Sequence, residues 1–242
     1  MQAVILAGGL GTRLGRLTRE TPKPMVGVAG RPYLEYQLLA LRDQAITDVV
    51  LLTGYLGEQI EDYFGDGREL GLRIRYSRES SPQGTGGALR SAGSLLADHF
   101  LLLYGDSYLP IDYCAVLDKL AASPALGCLV AYDNRLDSTN VTNNLALSNN
   151  DVVLRYAKDA LHATDLTYVE AGVHAYRRDV LTVLSATGKV SLETEVFPQL
   201  IARAELIAYR TTQRFYDIGT PERLCQFERL FTHDHHAYTL PH

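Results

Sequence analysis

The sequence predicts an α/β fold, a Rossmann-like doubly wound mixed sheet. Three observations predict it. Apolar runs of strand length alternate with amphipathic helical patterns through the first half of the chain. The first of these runs ends directly in a glycine-rich turn. The second half keeps its strand-like runs, and no Pro/Gly/Ser-rich linker divides it from the first. The chain has 242 residues, 46% of them hydrophobic, which suits one large domain over residues 1–242 with a substantial core.

The elements follow in order. Ala3-Val4-Ile5-Leu6 is apolar at every position, as a strand covered on both faces must be. Pro32 suits a first helical position, and Leu34, Leu38, Leu41 and Ala45 then recur on one face. Asp48–Leu52 and Leu101–Tyr104 read as further buried strands of a largely parallel sheet, whereas Leu72–Tyr76 alternates and belongs nearer an edge. Gly57–Phe64 and Gly87–Leu96 fill the gaps as helices. In the second half, Cys128–Tyr132, Leu145–Leu147, Val152–Tyr156 and Tyr168–Tyr176 are strand-like and are expected to continue the same sheet. Leu192–Ile201 reads as a helix. Thr220 caps a last helix that has Pro221 at its first position. The tail His233-Asp234-His235-His236 reads as a solvated end.

Composition excludes several partners. The net charge is -5 and no basic run occurs, so no nucleic acid is expected. No apolar stretch approaches the length of a membrane span, so no membrane partner is expected. The amino terminus lacks a basic region leading into an apolar run and a cleavage site, which argues against export. Cys114, Cys128 and Cys225 are odd in number and widely spaced. They suit neither a disulfide framework nor a zinc site, and they point to a reducing cytoplasm. A homo-oligomer is left open.

The most informative run is Leu6-Ala7-Gly8-Gly9-Leu10-Gly11-Thr12-Arg13-Leu14, followed by Pro22-Lys23-Pro24-Met25. Glycines let the backbone approach a ligand and aim its N–H groups at an anion. Arg13 and Lys23 add fixed positive charge, so the expected ligand is the phosphate chain of a nucleotide. The dinucleotide fingerprint fails because Leu14 stands where its third glycine belongs, which counts against a nicotinamide oxidoreductase. The P-loop fails because Thr12-Arg13 follows Gly11 in place of Lys-Ser or Lys-Thr.

The motif G-G-x-G-T-R-L with P-K-P-M resembles the signature of the sugar-phosphate nucleotidyltransferases, and the resemblance extends over nearly the whole chain. It implies the nucleotide-diphospho-sugar transferase fold, with about residues 1–125 binding nucleotide and about residues 126–242 binding sugar phosphate. It also implies a reaction in which a nucleoside triphosphate and a sugar 1-phosphate yield a nucleotide sugar and pyrophosphate. A phosphate monoester, with a second pKa near ~6, is already largely a dianion at neutral pH, so no general base is required. The obstacle is repulsion between two anions, which positioning and positive charge must overcome.

On this resemblance Arg13 faces the β- and γ-phosphates, and Lys23 bridges the α-phosphate and the incoming phosphate. Asp106 and Asp217 form a Mg²⁺ site. Asp106 follows a buried strand directly, and two carboxylates with phosphate oxygens and water suit this ion. Leu6, Ala7, Gly8, Gly9, Gly11 and Thr12 line the nucleotide. In Pro82-Gln83-Gly84-Thr85, Gly84 and Thr85 hold the base, and Glu79 is placed to read its edge, favouring guanine. Lys158 is the expected sugar-phosphate lysine. Glu170 and Gly172 are the expected sugar-hydroxyl contacts.

The resemblance departs at Ala157 and Asp159, which flank that lysine where an acidic residue and a proline are common, and at Asn144, which replaces a common glycine. Asn144 therefore joins the expected sugar contacts. The overall pattern is most similar to short guanylyltransferases acting on heptose 1-phosphate. Uridylyltransferases that recycle cell-wall amino sugars look almost as near, and UTP or dTTP with a hexose or amino-sugar 1-phosphate is the alternative. A non-catalytic nucleotide-sugar-binding relative would be expected to lose Lys23 or one aspartate, and all three are present.

Overall fold

The computed structural model describes residues 1–135, 139, 141–158, 160 and 163–232. Its first strand, β1 (Gln2–Leu6), sends Ala3 and Ile5 into one apolar core and Val4 into another, because helices cover both faces. A short hairpin, β2 (Gly27–Val28) and β3 (Arg31–Pro32), leads into α1 (Tyr33–Asp43). Then come β4 (Asp48–Thr53), α2 (Gly57–Phe64), β5 (Arg73–Arg78), α3 (Gly84–Ser91) and β6 (His99–Tyr104). Next are β7 (Ser107–Tyr108), α4 (Tyr113–Ala121), β8 (Gly127–Tyr132), β9 (Leu145–Leu147) and β10 (Val153–Tyr156). The chain continues through β11 (Val169–Arg177), α5 (Phe197–Ala202), β12 (Leu206–Thr211), β13 (Tyr216–Asp217) and α6 (Pro221–Thr232).

Seven strands form the main sheet in the order β12-β8-β11-β6-β1-β4-β5. All neighbours run parallel except β11, which is antiparallel to both β6 and β8. The expected mixed, doubly wound sheet is thus present. β1 pairs β4 on one side and β6 on the other, so the strand order reverses there. The carboxyl ends of β1 and β6 flank the crevice where such sheets bind ligands.

Several elements differ from expectation for local reasons. Pro32 lies outside α1, in extended conformation as its N-cap. Ala45 does not continue the helix face. With φ +59° it ends the helix in a Schellman arrangement, where Ile46 N–H donates to Leu41 O at 2.9 Å and Ala45 N–H to Arg42 O at 2.8 Å. The helix expected from Gly87 begins at Gly84, because Val190 O accepts from Gly86 and Gly87 N–H and satisfies two donors of its first turn. β9 and β10 pair with each other as a ribbon that meets the main sheet through isolated bridges, Leu145 with Tyr168 and Val152 with Ile207, in place of extending it. Leu145 and Val153 press that ribbon onto the second core. β12, which the sequence reading passed over, closes one edge. The residues Leu192–Ile201 are helical, a π-type turn over Leu192–Val196 running into α5. The tail from His233 and Asp159 lie outside the described residues. No helix among the described residues is long and apolar enough to cross a membrane.

Candidate active site

The crevice at the carboxyl ends of β1 and β6 is a cavity of about 380 Å³. Leu6, Gly8, Gly9, Lys23, Gly105 and Asp106 line it, together with Glu79, Pro82, Gly84, Thr85, Lys158 and Glu193. Ala7 N–H is spent on Leu52 O at 2.8 Å, which ties the start of the glycine turn to β4. Gly11 turns the chain with φ +64°, and a methyl there would meet Lys23 Cβ and Thr18 Cγ2, each at 2.9 Å. This close approach brings the Pro22-Lys23-Pro24 segment against the turn. The turn continues as a 3₁₀ segment, Thr12–Thr18.

Lys23 is almost completely buried, and its Nζ lies 2.5 Å from Asp106 Oδ2. Asp106 is brought there by Gly105, whose N–H donates to Leu6 O at 3.0 Å and whose missing side chain lets the ends of β6 and β1 touch. Asp217 arrives through the small ladder in which β13 pairs β7, with Asp217 opposite Ser107. Ile218 N–H donates to Asp106 O at 3.1 Å, so the two aspartates stand side by side although the intervening chain holds most of the second half. Asp217 accepts from Gly219 N–H at 2.7 Å and from Arg223 Nη1 at 3.0 and 3.2 Å. Arg13 is exposed and does not line the cavity. It reaches this corner from outside: a methyl on Gly219 would lie 2.7 Å from Asp217 Oδ1 and 3.2 Å from an Arg13 guanidinium nitrogen.

The donor set fits a hard divalent cation. Two aspartates, Asp106 lining the open cleft and Asp217 brought next to it by the β13–β7 ladder, leave the remaining coordination to phosphate oxygens and water. Among the described residues no cluster of three or more His, Cys, Asp or Glu forms an all-protein cage.

At the other end of the cavity, Glu79 Oε2 accepts from Gln83 N–H at 2.9 Å, and its carboxylate lies against Gly8 and Gly54. Gly84 has φ +77° and approaches Val190 O so closely that a methyl would sit 2.5 Å from it. Thr85 lines the cavity, but its hydroxyl donates to Glu193 Oε2 at 3.1 Å and accepts from Leu192 N–H at 2.9 Å. Lys158 also lines the cavity, with an exposed side chain.

Glu170, Gly172 and Asn144 form a separate cluster. Asn144 Oδ1 accepts from Glu170 N–H at 2.8 Å. Glu170 Oε1 accepts from Gly172 N–H at 2.5 Å and lies 2.8 Å from His174 Nε2. His174 is fully buried and its Nδ1 lies 3.2 Å from Tyr176 Oη. Gly172, with φ +78°, packs on Ser107, the neighbour of Asp106. The cluster therefore abuts the aspartates, although none of its three members lines the cavity.

Sequence reasoning missed Glu193. Tyr104 Oη donates to its Oε1 at 2.7 Å, and Ser191 Oγ and Thr85 Oγ1 donate to its Oε2 at 2.9 and 3.1 Å. Burial pushes this carboxyl up, but Tyr104, its own backbone N–H, Ser191 and Thr85 outweigh burial and hold it below its ordinary value. The same burial, reinforced by Glu170 and Glu193, raises Tyr104 far above the ordinary tyrosine value, so it stays a donor. Arg223 was also missed. It follows the recognised Asp217 motif by one helical turn, and only the folded geometry shows its contact.

The family model described as nucleotidyl transferase matches residues 2–233. The chain belongs to the nucleotidyl transferase family. A Campylobacter jejuni relative, D-glycero-alpha-D-manno-heptose 1-phosphate guanylyltransferase, is 32% identical over 94% of this chain and 98% of its own. The N-acetylmuramate alpha-1-phosphate uridylyltransferase of Neisseria meningitidis is 40% identical over 51% of this chain and 54% of its own. The crystal structure of HddC from Yersinia pseudotuberculosis complexed with GMP-PN superposes with a TM-score of 0.77 at 25% identity, covering 95% of this chain and 99% of that one. In this nucleotidyl transferase, Lys23 and Asp106 meet in the crevice where the sheet reverses its strand order, and Asp217 stands beside it, opposite Ser107 and held by Arg223.

Proposed function

We propose that this nucleotidyl transferase moves a nucleoside monophosphate from a nucleoside triphosphate to a sugar 1-phosphate. GTP and a heptose 1-phosphate are its best pair, and the reduced cytoplasm is its compartment. The observation that carries the reading is the contact of Lys23 with Asp106, one ladder rung from Asp217, in a nucleotide-sized cleft. A sugar-phosphate oxygen attacks the α-phosphorus, the bond to the bridging oxygen of the β-phosphate breaks, and pyrophosphate leaves with that electron pair. Lys23 lies where both phosphates must meet and offsets their repulsion. Arg13 draws charge on the leaving pyrophosphate. Asp106 and Asp217 would hold Mg²⁺, which supplies further charge neutralisation when bound.

The near-full-length likeness to a heptose 1-phosphate guanylyltransferase and the likeness to a GMP-PN complex support the guanine and heptose choice. The 40% identity over half the chain to an amino-sugar uridylyltransferase favours a second reading, UTP with an amino-sugar 1-phosphate. A grid of GTP, UTP, dTTP, ATP and CTP against heptose, mannose, glucose and amino-sugar 1-phosphates, scored by pyrophosphate release with Mg²⁺, tests both. Fastest release with GTP and heptose 1-phosphate is the expected result. Fastest release with UTP and an amino sugar replaces it by the second reading, and silence across the grid overturns the reaction itself.

A further inference from the structure

Three carboxylates line the cavity, and two have evident tasks. Asp106 pairs with Lys23, and Glu79 is fixed at the glycine-rich end by Gln83 N–H. Glu193 is different. No described cation pairs with it, and an ionised carboxylate beside a site for two phosphorylated molecules works against anion binding. Hydroxyl donors already surround it, and a neutral, hydroxyl-bearing ligand group suits it.

The way Glu193 is held supports such a role. A carboxylate offers about four acceptor positions. Ser191 and Thr85 donate to Oε2, whereas Tyr104 is the one described side-chain donor to Oε1, so Oε1 is the less committed oxygen of a residue that lines the cavity. Three hydroxyl donors on three different segments fix its orientation, as a recognition group requires. One partner, Thr85, belongs to the base segment, and another, Tyr104, ties Glu193 to the sugar end. The ring of Tyr104, which grips Oε1, lies edge-on to His174 with centroids 5.3 Å apart. His174 belongs to β11, the strand that carries Glu170 and Gly172.

We propose that Glu193 is a specificity-determining residue whose carboxylate accepts a hydrogen bond from one hydroxyl of the sugar 1-phosphate. The assignment rests on the sugar-1-phosphate nucleotidyltransferase reading given above. A sugar lacking that hydroxyl leaves a buried acceptor unpaired and is discriminated against accordingly.

The test uses the full chain, Glu193→Gln, and steady-state kinetics with each substrate varied in turn, using the best pair from the grid. The KM for the sugar 1-phosphate should rise tenfold or more, while the KM for the nucleoside triphosphate stays within twofold. A purely structural role for Glu193 would move both constants together through Thr85 and the base segment. On the wild type, one member of a set of deoxy-sugar 1-phosphates should lose a similar factor, and Glu193→Gln should cost nothing further with that analogue. If Glu193→Gln fails to fold, Glu193→Asp, which keeps the charge and withdraws it, should raise the same sugar constant. An unchanged sugar KM, or an equal rise in both constants, overturns the assignment while leaving the reaction intact. A wild-type chain that releases no pyrophosphate overturns the reaction reading and this assignment with it.

Discussion

Lys23 Nζ and Asp106 Oδ2 lie 2.5 Å apart, although 83 residues separate them in sequence. The contact offsets one charge with the other and holds the Lys23 side chain at the cleft. Substrate phosphates and a divalent ion compete for the same two groups. Lys23→Ala should therefore lower kcat by about 10²–10³-fold, the scale seen when one preorganised donor to a transition state is lost. Asp106→Asn should bring pyrophosphate release to background while circular dichroism shows a folded chain. Near-normal turnover in either variant contradicts its assigned role.

Asp217 is oriented by Arg223 Nη1 at 3.0 Å and by Gly219 N–H at 2.7 Å. Groups that orient a metal ligand typically contribute 10–100-fold to metal affinity. Arg223→Ala should raise the Mg²⁺ concentration for half-maximal activity by about tenfold, with a smaller effect on kcat at saturating Mg²⁺. Chelating divalent ions with EDTA should stop turnover in the wild type, and added Mg²⁺ should restore it. A Mg²⁺ titration curve that does not move in Arg223→Ala would show that Arg223 serves α6 alone.

Gly9 separates structural from functional glycines. A methyl at Gly84 would strike Val190 O at 2.5 Å, whereas a methyl at Gly9 would meet no protein atom within 4 Å. Gly9→Ala should therefore leave the thermal midpoint within about 2 °C, as expected for a surface change near zero in free energy. Nucleotide affinity, read by isothermal titration, should fall at least tenfold, because the methyl occupies the space a phosphate chain needs. Unaltered affinity would move the triphosphate away from this turn.

The parts of the site legible in sequence are those that sit in short, continuous motifs. Lys23 between two prolines, Asp106 at the end of an apolar strand, and the glycines after β1 each carry a local signal. β1, β4 and β6 were legible because strands covered on both faces must be continuously apolar. Glu193 had no such signal: one acidic residue in a helical pattern is ordinary. Its burial depends on Val190–Leu192 hydrogen-bonding to Gln83–Gly87, a pairing of segments more than a hundred residues apart. The β9–β10 ribbon failed for a related reason. Its short apolar runs state that part of it is buried, but not whether it completes a sheet edge or lies on top of the sheet.

Burial of thiol and phenol groups sets the alkaline limit of the fold. Burial pushes the Cys128 thiol up to about 12 from an ordinary 9.0, and Tyr104 and Tyr176, also buried, lie well above the ordinary tyrosine value of 10.0. All are essentially neutral in both states below about pH 7.5, a unit under the ordinary cysteine value, so their contribution is fully present there. As pH rises past the ordinary values, the unfolded chain loses these protons first and the native state does not, so stability falls. With several such groups, the unfolding free energy should drop by more than about 1.4 kcal/mol per pH unit above pH 10, the slope for one proton. Urea melts from pH 7 to 11 measure the slope, and absorbance at 295 nm should show the buried tyrosines ionising cooperatively with unfolding. In the native state at pH 8, a thiol reagent should label exposed Cys225 first, and Cys128 only after denaturation. Gradual ionisation of every tyrosine without unfolding, or early labelling of Cys128, would contradict the packing of the two cores.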